Sequence, residues 1–228
     1  NLERNFKSKM YRTLGTILLS NAHQTSESLT YITNLFLLSQ KDNETDYKAW
    51  LGWANSNSIL HDITQDDKYS FYAVDGFLKS AKIQTSCILE YLCQMFAIFF
   101  KIKDSSAIPQ NLIDELCSLP SQILKQIIPQ TIVHIEHPDL NFRNIVHKIL
   151  YNYGKEHFQD LFFQINIYKF SKNKEKAKFS QLIIENLSQN HEVEKEDAEL
   201  FADGMIEAAM TCFEHWKNTL DSGLRAKN

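Results

Sequence analysis

Glycine and proline are scarce, with 6 and 4 residues in a chain of 228, where average usage is roughly 7% and 5%. Tight hairpin turns depend on Gly, Pro and Asn-Gly steps, so a turn-rich sheet protein is excluded. Long apolar runs are also lacking. The most apolar stretch, Cys87–Ile102, is broken by Glu90, Gln94 and Lys101 and falls short of the roughly 18 to 20 apolar residues that span a bilayer. A buried core helix is expected there, and no transmembrane anchor. The four cysteines, Cys87, Cys93, Cys117 and Cys212, lack Cys-x-x-Cys spacing and read as reduced, mostly buried thiols of an intracellular protein. Charge of one sign is missing too: a formal charge of -4 and a pI near 6.1 offer no global case for nucleic acid. The chain starts at Asn1 without Met or a signal-like segment, so a piece of a longer protein is expected.

What is present is bulk. The hydrophobic fraction is 43%, with 15 Phe and 9 Tyr, enough for a core and against disorder. Apolar residues recur at three- and four-residue steps almost throughout. Phe6, Met10, Leu14, Ile17 and Leu18 mark the expected core face of a first helix, Leu2 to Asn21. Thr25-Ser26 reads as the cap of a second, with Leu29, Ile32, Leu35 and Phe36 on one face. A third is expected near Asp46–His61, a fourth near Lys68–Lys79 and a fifth running to Phe100. Pro109 and Pro120 each open a shorter helix, Pro being tolerated in a first turn, and His137-Pro138 breaks the pattern. Three further stripes follow: Phe142 to Tyr153, ending at Gly154; Phe158, Leu161, Phe162 and Ile165; and Phe179, Leu182, Ile183 and Leu187. The last helix begins after His191 with Glu192, Glu194, Glu196 and Asp197, acids suited to the positive end of a helix dipole. The fold class is therefore all-α. Antiparallel helical hairpins are stacked as a TPR- or HEAT-like, armadillo-like α-solenoid of about 10 to 11 helices with no strict repeat.

Particular strings go further than periodicity. YKAWLGWA (Tyr47–Ala54), YAVDGFLKSAKI (Tyr72–Ile83) and the stretch from Ile123 to Ile167, with its IPQ step and Gly-x-x-His-x-Gln-x-Leu pattern, occur in this order. Together they resemble the late FAT domain of TOR-type kinases, the phosphatidylinositol-3-kinase-related class. MIEAAMTCFEHWKNTLDSGLR (Met205–Arg225) resembles the first helix of that family's rapamycin-binding domain. The resemblance implies residues 1–190 as late FAT repeats and 191–228 as the long helix that opens the next domain. It also implies a cytoplasmic parent, at endomembrane surfaces or in the nucleus as further options, with serine/threonine kinase activity in nutrient and growth signalling. The region would support the intramolecular kinase domain and receive regulatory protein subunits. This stretch holds no glycine-rich loop, no catalytic His-Arg-Asp or Asp-Arg-His with a downstream Asn, and no Asp-Phe-Gly, so no catalysis is expected of it, and ATP and Mg belong to the parent's kinase domain.

The same resemblance implies a cationic pocket for an inositol polyphosphate such as inositol hexakisphosphate, with Lys9, Arg12 and Lys48 as its residues and Thr13 where the family has a second lysine. Cations on rigid helices suit a polyanion; ordinary solvated lysines are the other reading. Tyr47, Trp50 and Trp53 share a helical face and read as packing. His134, Glu136, His137 and Asp139 are dense in ligand atoms, but neighbours on different helix faces do not converge, so no metal site is expected. Lys169, Lys172, Lys174, Lys176 and Lys178 form a basic run with Phe170 and Phe179, read as a solvated loop, with nucleic-acid or lipid binding as its sharper alternative. Leu224 stands where the family has a small serine, which implies that this stretch does not bind rapamycin. Two alternatives remain open: a freestanding helical-repeat adaptor that binds partner helices, and a haem-oxygenase-type enzyme with His23 as proximal ligand.

Overall fold

The computed structural model describes residues 2–21, 25–84, 89–189 and 191–225, without the side chains of 170, 206, 209–215, 218, 221 and 223–225. His23 and Cys87 lie outside the described residues, as do the side chains of Phe170, Cys212 and Leu224. Among the described residues all regular structure is helical, with no strand, as the turn-poor composition requires. The chain divides into two compact units, Asn1–Asn152 and Tyr153–Asn228.

The first unit opens with α1 (Leu2–Asn21), α2 (Ser26–Asp42), α3 (Tyr47–Thr64) and α4 (Asp67–Ile83). α2, α3 and α4 start where the sequence supplies an oxygen for orphan backbone amides. Thr25 closes a capping box with Ser28, and Asp46 and Asp66 accept from Lys48 N and Lys68 N. The hairpins are antiparallel. Ser8 near the start of α1 hydrogen-bonds Ser39 near the end of α2 at 3.0 Å. Gln40 Nε2 donates to Ala49 O at 3.5 Å, and Ser80 Oγ to Tyr47 O at 3.2 Å. α5 (Leu89–Phe99), α6 (Gln110–Cys117), α7 (Ser121–Val133) and α8 (Leu140–Gly154) follow, with a 3-10 turn at Ser105–Ala107. Pro109 and Pro120 are the N-cap residues of α6 and α7, one position before the first turn, and Pro129 lies inside α7.

The expected core face of α1 is not its core face. Phe6, Met10, Leu14 and Ile17 are 71%, 48%, 41% and 51% exposed, whereas the buried positions are Ser8 and Gly15. The reason is the Phe36 ring on α2. A Cβ on Gly15 would lie 3.0 Å from Phe36 Cζ, and one on Gly52 of α3 would overlap the same ring. Helices that close onto one phenyl ring must present their smallest side chains to it, so the bulky stripe of α1 turns outward. Gly76 repeats the device between α4 and α3, where a Cβ would meet the Trp53 ring at 2.9 Å. None of these glycines has positive φ; space, not backbone freedom, selects them. The left-handed conformation belongs instead to Gln65, the C-cap of α3.

The second unit holds α9 (Phe158–Asn166), a 3-10 turn at Ile167–Phe170, α10 (Lys174–Ser188) and α11 (Glu192–Arg225). Phe158, Leu161, Phe162 and Ile165 are all buried, as their spacing predicts. The α10 stripe is displaced: Leu182 is 44% exposed, and the buried set is Ser180, Ile183, Ile184, Leu187 and Ser188. That set keeps the i, i+3, i+4, i+7, i+8 spacing of one helix face, with serines filling places that periodicity alone awards to hydrophobes.

Gly52→Ala should therefore destabilise the protein by about 1–3 kcal/mol through overpacking, despite alanine's better helix propensity. Gly204→Ala, with no atom within 4 Å of the new methyl among the described residues, should stabilise it by about 0.5–1 kcal/mol. Urea denaturation of both variants reads the opposite signs, and equal signs would contradict the packing argument.

Candidate functional site

The start of α3 is where the sequence places cations. Asp46 Oδ1 accepts the Lys48 backbone N–H at 3.1 Å and the Arg12 guanidinium at 3.3 Å, so one carboxylate caps α3 and anchors α1. Both members of this ion pair are largely covered, with side chains 21% and 11% exposed. Lys48 is exposed, its ammonium 5.8 Å from the Tyr47 ring centroid, and Lys9 is exposed one turn before Arg12. The fold thus brings Arg12 to the α3 N-terminus two residues from Lys48, but its charge already faces Asp46. This partner lies 34 residues away in the chain and carries no local sequence signal. A polyanion here would add to Lys9 and Lys48 and compete with Asp46 for Arg12.

The neighbouring aromatics pack. Trp53 is buried, meets Trp50 edge-on with centroids 5.9 Å apart, and lies 5.6 Å from Tyr72. Trp50 Nε1 donates to Glu44 O at 2.8 Å, and the Lys79 ammonium sits 4.7 Å from the Trp50 ring centroid.

The corner between α7 and α8 gathers histidines without the geometry of a metal site. His134 stacks on Phe100 with centroids 3.7 Å apart, and His137 lies 5.7 Å from the same ring. Among the described residues, no group of three or more His, Cys, Asp or Glu is arranged to hold an ion. Burial, with His137 adding to it, lowers the His134 pKa. Burial likewise lowers that of His147, whose Nε2 lies 3.0 Å from Ile135 O. Asp139 Oδ1 accepts from Asn141 N and Phe142 N, and Ser105 Oγ donates to its Oδ2 at 2.8 Å. Those bonds, led by the one from Ser105, hold its carboxyl below the usual range. Cys93 and Cys117 are free thiols; burial pushes Cys117 up to about 11, so it is protonated and unreactive at neutral pH.

Among the described residues no helix is long and apolar enough to cross a membrane. The basic run changes character in three dimensions. Lys169, Lys174 and Lys178, with Ser171, line an open cavity of about 490 Å³ on the outer face of α10.

No family model matches the sequence. The chain is 24% identical over 237 residues to serine/threonine-protein kinase tor1 of Schizosaccharomyces pombe, an alignment covering 98% of this chain and 10% of that protein. It is 20% identical over 184 residues to serine/threonine-protein kinase mTor of Drosophila melanogaster, covering 81% of this chain and 7% of that one. The similarity relates most of the chain to TOR kinases, and the chain spans a tenth or less of the length of these relatives.

The two perturbed histidines set a pH dependence. Their folded state favours neutral imidazole, so their contribution to stability is present above the unfolded value of 6.5. It is lost as pH falls through the lowered folded values, because the unfolded chain takes up protons first. The melting temperature should drop as pH is taken below 6.5. His134→Phe, which keeps a ring on Phe100 but removes the titrating nitrogens, should flatten that drop; an unchanged profile would contradict the assignment.

Proposed function

We propose that this chain is a non-catalytic helical-repeat segment of a TOR-like serine/threonine protein kinase, corresponding to the late FAT region, that supports the kinase domain and presents surfaces to regulatory subunits. The observation that carries the reading is the breadth of the similarity: 98% of this chain aligns with 10% of a TOR kinase. The fold class agrees with it. Phosphoryl transfer in protein kinases needs a glycine-rich loop, a lysine on a strand and metal-binding Asp and Asn, while the described residues here form only helices and turns. Short polar links and antiparallel hairpins suit a stiff support whose faces are set by its neighbours.

Translation of the parent transcript beyond Asn228 tests this reading. Kinase loops with a catalytic Asp and an Asp-Phe-Gly are expected; a stop codon with no such motifs would instead favour a freestanding adaptor.

Within this reading Lys9, Arg12 and Lys48 are the cations for an inositol polyphosphate. Calorimetric titration with inositol hexakisphosphate at low salt should give saturable binding. Lys9→Gln with Lys48→Gln should weaken it at least about tenfold. Asp46→Asn, which retains an N-capping oxygen while releasing Arg12, should strengthen it several-fold. Absence of saturable heat would remove the polyphosphate from the proposal and leave the scaffold reading standing.

A further inference from the structure

We propose that the cavity on the outer face of α10 is a second anion site, built for a small ligand that carries two or more clustered phosphates. It lies wholly within the second unit and is independent of the kinase reading and of the cations near α3.

The basis is uncompensated charge around a cavity. Lys174 and Lys178 stand one turn apart on the face of α10 opposite its buried residues, where like charges at i, i+4 repel. Neither has a carboxylate partner among the described residues, and Lys169 reaches the same cavity from the preceding 3-10 turn. The one acid in the lining, Glu185, accepts from Gln181 Nε2 at 2.9 Å and keeps its charge, which leaves the lining net positive. Lys176 is committed elsewhere, its ammonium 4.0 Å from the Tyr168 ring centroid. In a protein of net charge -4, Lys174 and Lys178, joined by Lys169 at one opening, are matched best by a ligand that brings its own negative charge.

The geometry narrows the ligand. The first free amides of α10 are taken by Asn173 Oδ1, which accepts from Glu175 N at 3.0 Å and Lys176 N at 3.4 Å. The anion is therefore held by ammonium groups, not by the helix end. Ser171 Oγ accepts from Asn173 N at 3.2 Å and keeps its own proton to donate. A cavity of about 490 Å³ is in the size range of small-molecule sites and exceeds what a lone phosphate fills. Exposed Leu182 and half-buried Ala177 give one wall an apolar character. Nucleic acid fits less well, because single strands need open aromatic faces for stacking and the Tyr168 ring is covered by Lys176. Polyphosphate chemistry has two sources, a free polyphosphate or a phosphorylated lipid headgroup.

The test uses the whole chain at low ionic strength, with tripolyphosphate as the soluble probe. Phosphatidylcholine vesicles, with and without phosphatidylinositol bisphosphate, form the lipid arm. Saturable tripolyphosphate binding is expected, weakened at least about tenfold in Lys174→Gln with Lys178→Gln and kept in Lys9→Gln with Lys48→Gln. Both lysines are solvent-facing, so melting temperatures should match the parent; Lys178→Arg, which keeps the charge, should keep the binding. Sedimentation only with the phosphorylated vesicles, and dependent on the same lysines, assigns the headgroup as source; tripolyphosphate binding without sedimentation assigns a soluble ligand. No saturable binding in either arm would overturn the proposal. Binding undiminished in the double glutamine variant would do so too, as would a single-stranded oligonucleotide that binds more tightly than tripolyphosphate through these lysines.

Discussion

The Phe36 ring governs the first helices. It stands between α1 and α3, facing Gly15 on one side and Gly52 on the other, and is itself fully buried. Close packing of this kind leaves no slack for a methyl group, so the two neighbouring helices are fixed in rotation as well as in distance. Once Gly15 must face the ring, Ser8 comes to face α2 and its hydroxyl is satisfied by Ser39. Ile32 and Trp53 complete the cluster, with Leu18, Leu19, Leu37 and Trp50 along its border. Trp53 then passes the constraint to α4 through Gly76. Two aromatic knobs and three small-residue holes thus account for the stacking of four helices.

The same rotation decides where charge and apolar surface appear. Turning Ser8 and Gly15 inward carries Phe6, Met10, Leu14 and Ile17 outward and brings Arg12 against Asp46. Asp46 is well suited to the position. Its carboxylate faces the amides of a helix start, where negative charge is favoured, and the same oxygen also accepts the guanidinium of Arg12 from α1. The two basic regions differ in this respect. At α3 a cation is neutralised within the fold, while at α10 neither Lys174 nor Lys178 is in an ion pair among the described residues.

Much of this was legible from local chemistry. Thr25 and the Phe158–Ile165 stripe act over one or two helical turns, and their roles follow from spacing and residue type alone. What escaped was set by partners distant in sequence. Hydrophobic periodicity assigns α1's bulky stripe to the core because it weighs size, whereas Phe36 demands the lack of it. Leu182 fails for a related reason: Ser180 and Ser188 turn one hydroxyl each back to a carbonyl of the preceding turn and so can occupy a buried face. Pro129 is invisible as an interior helix residue because proline is read as a boundary. The Arg12–Asp46 pair and the convergence of Lys169 on Lys174 and Lys178 need the fold to be seen at all.

The perturbed groups also bear on the kind of function such a fold can host. Burial raises Cys117 to about 11 and, with Asp160 adding to it, Tyr153 to about 12, and burial lowers His134 and His147. In every case the neutral form is favoured, which leaves a thiol and a phenol unreactive and two imidazoles uncharged. The carboxylates of Asp104, Asp114 and Asp139 are held low by hydrogen bonds from their neighbours, as expected of structural anchors. Among the exposed lysines of the described residues, Lys9, Lys48, Lys174 and Lys178 belong to the proposed anion sites. Fixed cations on a rigid helical frame can hold an anion without reorganising, and that is the physical ground on which both proposed anion sites rest.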